Sequence, residues 1–226
     1  MKRILLLSLV LMLLSTSIAG AAQLPNDLLA DAAKVFREMA EQPDAEHLQS
    51  MLQDSHGVAI FPSLVRAGLG LGGRYGEGVV LRYDSETQTW YGPYFVTMKG
   101  LSYGFQLGVQ TTALVLVVGT EGGMNSLQEG GITLGGNLSI AAGPMGRSAE
   151  ASTDLNLKAA FYSYSMSKGA FVGASFEGDS INNNVNANQV YWDKTLTPSQ
   201  ILQEKAAGPA IAELLRELDR VLGQRR

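Results

Sequence analysis

Between Val58 and about Val190 the chain is a succession of short apolar or alternating runs cut by glycines at close intervals, and this pattern restricts the fold more than any other feature. Runs of this kind are strands joined by tight turns. The candidate strands are Val58 to Phe61, Gly78 to Tyr83, Tyr94 to Lys99, Phe105 to Thr111, Ala113 to Val118, Ile132 to Ala141, Ala151 to Phe161 and Ala170 to Glu177. Leu114 to Val118 is apolar at every residue, which predicts cover on both faces, whereas Val79 to Tyr83 alternates less cleanly and is expected to border solvent. With 26 glycines, 46% hydrophobic residues and 17% charged ones, the composition suits a folded glycine-rich β protein and not a disordered chain.

Helical periodicity flanks this region on both sides. Leu28, Leu29, Ala32, Val35, Phe36 and Met39 recur at helical spacing from Asn26 to Gln42, with Asn26 or Asp27 placed to cap the start. After Pro43 a shorter helix over 45–53 carries Leu48, Met51 and Leu52, so the first helical region covers about 26–53. Pro198 opens a closing helical region over about 198–222, with a stripe of Ile201, Leu202, Ile211, Leu214, Leu215, Leu218 and Leu222 that Gly208-Pro209 divides in two. The predicted architecture is α+β: a mostly antiparallel β core over about 57–190, barrel-like or a sandwich, covered by N-terminal and C-terminal helices. Closure of the sheet would remove exposed edges.

The start of the chain reads as a secretory signal peptide over 1–22. Lys2 and Arg3 precede an apolar run from Ile4 to Leu14, too short for a spanning helix, and Ala19-Gly20-Ala21 offers small residues at a cleavage site. The remaining 23–226 has the length of one domain. Loss of Lys2 and Arg3 would take the formal charge from −4 to −6, which argues against a nucleic-acid partner. The chain contains no cysteine, so it carries neither disulfides nor a lipoprotein acylation site.

Apparent catalytic motifs have plainer structural readings. Gly68, Gly70 and Gly73 fit the spacing GxGxxG, but a strand follows them where a dinucleotide site needs a helix. They read, with Gly72, Gly76 and Gly78, as points where strands bend or backbones approach closely. His47 and His56 are the only histidines and have no metal-ligand spacing. Ser175 misses a nucleophile elbow by one residue, and Glu177 with Asp179 fits a turn better than a carboxylate pair. Neither a metal nor a cofactor is implied, and the chain reads as a non-enzyme.

Five blocks carry a resemblance: GVAIFPSLVRAGLGLGGRYGEGVVL at 57–81, WYGP at 90–93, YGFQLGVQTTALVLVV at 103–118, LGGNLSIAAGPMGRSAEA at 134–151 and YSYSMSKGAFVGASFEG at 162–178. Their order resembles that of the SYLF domain, found in eukaryotic actin-patch and phosphoinositide-binding proteins and in many exported bacterial proteins. The resemblance covers roughly 28–205, including Asn188, Tyr191-Trp192 and Ile201-Leu202. It implies a lipid-binding module, with membrane contact through an amphipathic N-terminal helix and basic surface residues. Here that helix carries Asp27, Asp31, Glu38 and Glu41 against Lys34 and Arg37, which gives it no attraction to an anionic surface.

The candidate lipid-binding residues are the basic ones in or beside the blocks: Arg66, Arg74, Arg147, Lys158 and Lys168. Each has a bland alternative as a solvated surface charge. Lys168 leads because it sits at the bend of the last block, where Gly169 lets the backbone approach a bound group. The expected function is an exported, bacterial-type phospholipid-binding protein of the periplasm or outer envelope. The alternative is a structural or interaction module whose partner is a second copy or an envelope protein. A membrane-spanning β-barrel is disfavoured by the short strands and the charged helical end.

Overall fold

In the computed structural model, the structure describes residues 23–42, 45–136, 138–142, 159–172 and 174–223. The elements in chain order are α1 (Pro25–Ala40), α2 (Glu46–Gln53), β1 (Gly57–Asp84), β2 (Thr89–Val118), α3 (Glu121–Gln128), β3 (Gly131–Thr133), β4 (Ile140–Ala142), β5 (Phe161–Ser167), β6 (Ala170–Phe171), β7 (Ser180–Asn183), α4 (Val185–Trp192), α5 (Pro198–Ile201) and α6 (Ala212–Val221). The strands form one curled, mixed sheet, a half-barrel flanked by the terminal helices, as the α+β expectation required.

Two long strands dominate it. β1 and β2 are antiparallel from Gly57 opposite Val118 to Asp84 opposite Thr89, with register shifts between Phe61 and Leu64, Leu69 and Leu71, and Val80 and Arg82. β1 also doubles back on itself: a Cβ at Gly72 would lie 2.5 Å from the Ala67 carbonyl oxygen, one at Gly76 2.5 Å from that of Ser63, and one at Gly78 would meet the Phe61 ring. Glycine is therefore required there for close approach, as the sequence reading held. The expected strands Val58 to Phe61 and Gly78 to Tyr83 are two limbs of one strand.

β5 and β7 extend the sheet on β2, pairing Ala113 with Met166 through Val118 with Phe161, and Val96 with Asn183 through Lys99 with Ser180. β4 runs parallel to β5, and β3 pairs with β7. Alternate residues of each strand point into separate apolar layers. Val58, Ile60, Val115, Val117, Tyr162 and Tyr164 pack with α1, α2 and α6, while Ala59, Phe61, Leu114, Leu116, Val118 and Phe161 pack with α3 and α5. Cover on both faces of 114–118 is thus as expected. The same cover reaches Val79, Val80 and Leu81, all fully buried, so the expectation that this segment borders solvent is corrected.

Other expectations also change. Pro25 opens α1 with Leu24 as an uncapped N-cap, and Asp27 lies in the first turn, where it favours the helix dipole without capping. The expected strand Ile132 to Ala141 is two short strands separated by a turn in which Gly135 has φ +75°. Among the described residues only Ala170–Phe171 of Ala170 to Glu177 is strand, and 151–158 of the remaining expected strand lie outside the described residues. α3, β7 and α4 were not foreseen. In α3 two glycines hide a helix that Thr120 caps by accepting the Gly123 N–H at 3.1 Å, and Gly123 packs where a Cβ would lie 2.9 Å from the Ala160 carbonyl oxygen.

β5 and β6 form a hairpin in which Ser167 pairs with Ala170. Lys168 (φ +51°) and Gly169 (φ +77°) occupy its two-residue turn, the left-handed conformation of a type I′ turn. No atom lies within 4 Å of a Cβ at Gly169, so a side chain there meets backbone strain and not a clash. Gly169→Val is expected to cost about 1–2 kcal/mol in chemical denaturation.

Candidate functional site

Among the described residues, four large apolar side chains project into solvent on or beside the bend where β1 doubles back: Val65 is 38% exposed, Tyr75 47%, Leu101 69% and Val109 71%. Register groups them. Val65 pairs with Thr111, Ala67 with Val109, Gly73 with Leu101 and Tyr75 with Lys99. Three basic residues share this end of the sheet. Arg66 pairs with Gln110, Lys99 is exposed opposite Tyr75, and Lys168 is exposed on its turn, which is tied to the bend because the Ser167 hydroxyl donates to the Thr111 carbonyl at 3.2 Å. Exposed apolar groups interleaved with cations suit contact with an anionic, partly apolar surface.

The Tyr75 phenol is held neutral there, its pKa pushed up first by partial burial and then by the Glu77 carboxylate, to which it donates at 3.4 Å.

Arg74 belongs to the same strand but has a different environment. Its guanidinium donates to Asp179 and to the Ser175 carbonyl at 3.2 Å, and lies 4.6 Å from the centroid of the Phe176 ring. Gly100, paired with Arg74, makes room: a Cβ there would overlap the Asp179 carboxylate. Asp179 is 1% exposed. Burial raises its pKa above the ordinary carboxylate range, with Arg74 opposing that shift. Arg74 thus ties β1 to the segment before β7, and its guanidinium is occupied. Of the five sequence candidates, Arg66 and Lys168 lie at the bend, Arg74 is held inside this pair, and Arg147 and Lys158 lie outside the described residues.

The amphipathic face of α1 is fully engaged. Leu28, Leu29, Ala32, Phe36 and Met39 are at most 2% exposed, packed on the sheet and on Leu214 and Leu218 of α6. Arg37 donates to Glu213 at 3.1 Å, and Arg220 pairs with Glu41 at 3.6 Å, so the two helices are also linked at their polar edges. In this conformation α1 offers a membrane only its polar side.

The serines of the last sequence block are structural. Ser163 and Ser165 are buried and donate to the carbonyls of Ala141 at 3.2 Å and Val172 at 2.5 Å. Tyr94 and Tyr164 are buried phenols whose pKa values burial pushes up, so both stay protonated. Among the described residues no group of His, Asp and Glu is arranged to hold a metal, and no helix is long and apolar enough to cross a membrane. Sequence reasoning missed Tyr75, Lys99, Leu101 and Val109, because each lies in a run whose alternation predicts a strand without saying which side is covered.

Comparison with known proteins gives a consistent set of relatives. The family described as "Ysc84: Las17-binding protein actin regulator" matches residues 99–221. SH3 domain-containing YSC84-like protein 1 of Bos taurus is 32% identical over 204 residues, covering 86% of this chain and 59% of that protein. The Homo sapiens protein of that name is 31% identical over the same length and shares. Protein YSC84 of Saccharomyces cerevisiae is 37% identical over 173 residues, which is 75% of this chain and 36% of the yeast protein. The chain therefore spans less than two thirds of the length of these relatives, 59% of the mammalian proteins and 36% of the yeast one.

Proposed function

This chain belongs to the Ysc84 family, whose SYLF domain it carries, and from that membership we propose that it is a non-enzymatic phospholipid-binding protein of the cell envelope. The single observation that carries this reading is the bend of β1 and β2, where Val65, Tyr75, Leu101 and Val109 are exposed beside Arg66, Lys99 and Lys168. Shallow insertion of the apolar groups would bring the cations to the level of anionic headgroups. The N-terminal segment read as a signal peptide supports an exported, bacterial-type address in the periplasm or at the outer envelope. Arg147 and Lys158 remain part of the proposed cationic set on sequence grounds, whereas Arg74 serves it by holding the bend to β7.

Flotation with anionic vesicles tests the reading. Lys168→Ala should fold normally and weaken vesicle binding about fivefold, the effect of one lysine near a charged surface. The double variant Leu101→Asp, Val109→Asp should abolish flotation. Equal flotation of wild type and Lys168→Ala would remove that residue from the contact, and a wild type that stays with the soluble fraction would overturn lipid binding altogether.

A second reading, an interaction module with a protein partner, is favoured by the names of the relatives, among them LAS seventeen-binding protein 3 of Saccharomyces cerevisiae. It expects a stable complex with a second copy or an envelope protein, and no lipid extracted with the purified chain.

A further inference from the structure

At the end of the sheet away from the bend, a cleft of about 1030 Å³ opens between α6 and the segment at 205–208. Its volume is at the upper end of the range for small-molecule sites. Lys205 stands on one side and Arg216 on the other, both exposed, and among the described residues neither makes an ion pair. Arg220 adds a third cation, tied to Glu217 at 2.9 Å. The one carboxylate in the lining, Asp219, is 2% exposed and accepts the Trp90 indole N–H at 3.1 Å, so it faces inward. Ala206 and Leu215 supply an apolar floor, and Gly208 at the wall has no side chain to obstruct entry. A concentration of exposed positive charge in a chain of net charge −4 marks this surface as distinct from the rest.

We propose that this cleft is a binding site for a small organophosphate, with Lys205 and Arg216 meeting the phosphate and Ala206 and Leu215 meeting the apolar part. Two cations on facing walls suit a single group that carries nearly two negative charges at neutral pH and has several acceptor oxygens, as a phosphate monoester does. The site is independent of the bend, so either can fail without the other.

Titration calorimetry of the purified full chain with glycerol phosphate and with monomeric dihexanoyl phosphatidate tests it, with Trp90 fluorescence reporting on the floor through Asp219. Both ligands should bind, Arg216→Ala and Lys205→Ala should each weaken binding about tenfold, and Lys34→Ala, an exposed cation of α1 outside the cleft, should leave it unchanged. Tighter binding of the acylated ligand identifies a lipid headgroup with its chains as the occupant, and equal binding identifies a free phosphate ester; both support the site. Absence of binding by both at millimolar concentration, or undiminished binding by the Lys205→Ala, Arg216→Ala double variant, would overturn it. Vesicle flotation of wild type in the face of that result would leave the bend as the lipid contact and eliminate the cleft.

Discussion

Arg74→Ala is expected to destabilise the fold by roughly 3–5 kcal/mol, the usual result of removing one partner from a buried ion pair. Asp179, 1% exposed, would be left buried with no guanidinium beside it, and the Phe176 ring would lose the cation packed on its face. The loss should depend on pH in a defined direction. Burial already holds the folded-state pKa of Asp179 above its unfolded value, and removal of Arg74 takes away the influence that opposes this shift. A carboxyl whose folded pKa is raised contributes its stability below the unfolded value, about 3.9, and loses it as pH rises through the folded pKa. The variant should therefore lie closest to wild type in acid and fall furthest behind at neutral pH. Urea denaturation of both proteins at pH 4.5 and pH 7.5 measures the gap, and a gap that is constant across this interval would contradict the account.

The second large effect concerns α1. Phe36→Ala is expected to cost roughly 3–5 kcal/mol, since the ring is fully buried among the sheet, α2 and α6 and its removal leaves a cavity. Thermal unfolding should shift down by about 10 °C for a chain of this size. The variant also separates two routes to a membrane. With the bend as the contact, vesicle binding measured well below the unfolding transition should match wild type, because Phe36 lies on a face the folded protein does not expose. A proportionate loss of vesicle binding in the folded variant would instead show that α1 leaves the sheet to reach the bilayer.

The N-terminal and C-terminal helices were legible because their apolar stripes answer to one constraint, burial on a single side. Of the residues that spacing alone points to in α1, Leu28, Leu29, Ala32, Phe36 and Met39 are buried and Val35 is half-buried, while Pro25, Ala33 and Ala40 are buried as well. The full cover of Leu114 to Val118 followed in the same way from an unbroken apolar run. α4 was hidden because its sequence, VNANQVYW, has little amphipathic contrast and is held by polar contacts. Asn184 accepts the Ala187 N–H at 3.2 Å, while Asn188 accepts the Phe95 N–H at 2.9 Å and donates to the Phe95 carbonyl at 2.8 Å. Sites proved harder than elements. The place of Lys168 on an exposed turn is legible because Lys-Gly marks the bend locally, but the exposure of Leu101 and Val109 depends on β1 doubling back, a property of the whole hairpin. Asp219 and Trp90, 129 positions apart, meet only after the sheet and the last helix have come together.

The packing of α1 against α6 has a temporal side. Arg37 and Glu213 are 176 positions apart, and the apolar layer that begins with Leu28 is completed only by Leu214 and Leu218. A growing chain has α1 and the first limbs of the sheet long before it has the helix that seals them. The layer that α1 begins cannot be completed until synthesis has passed residue 218. The layer around α1 is therefore sealed last, by contacts of high sequence separation.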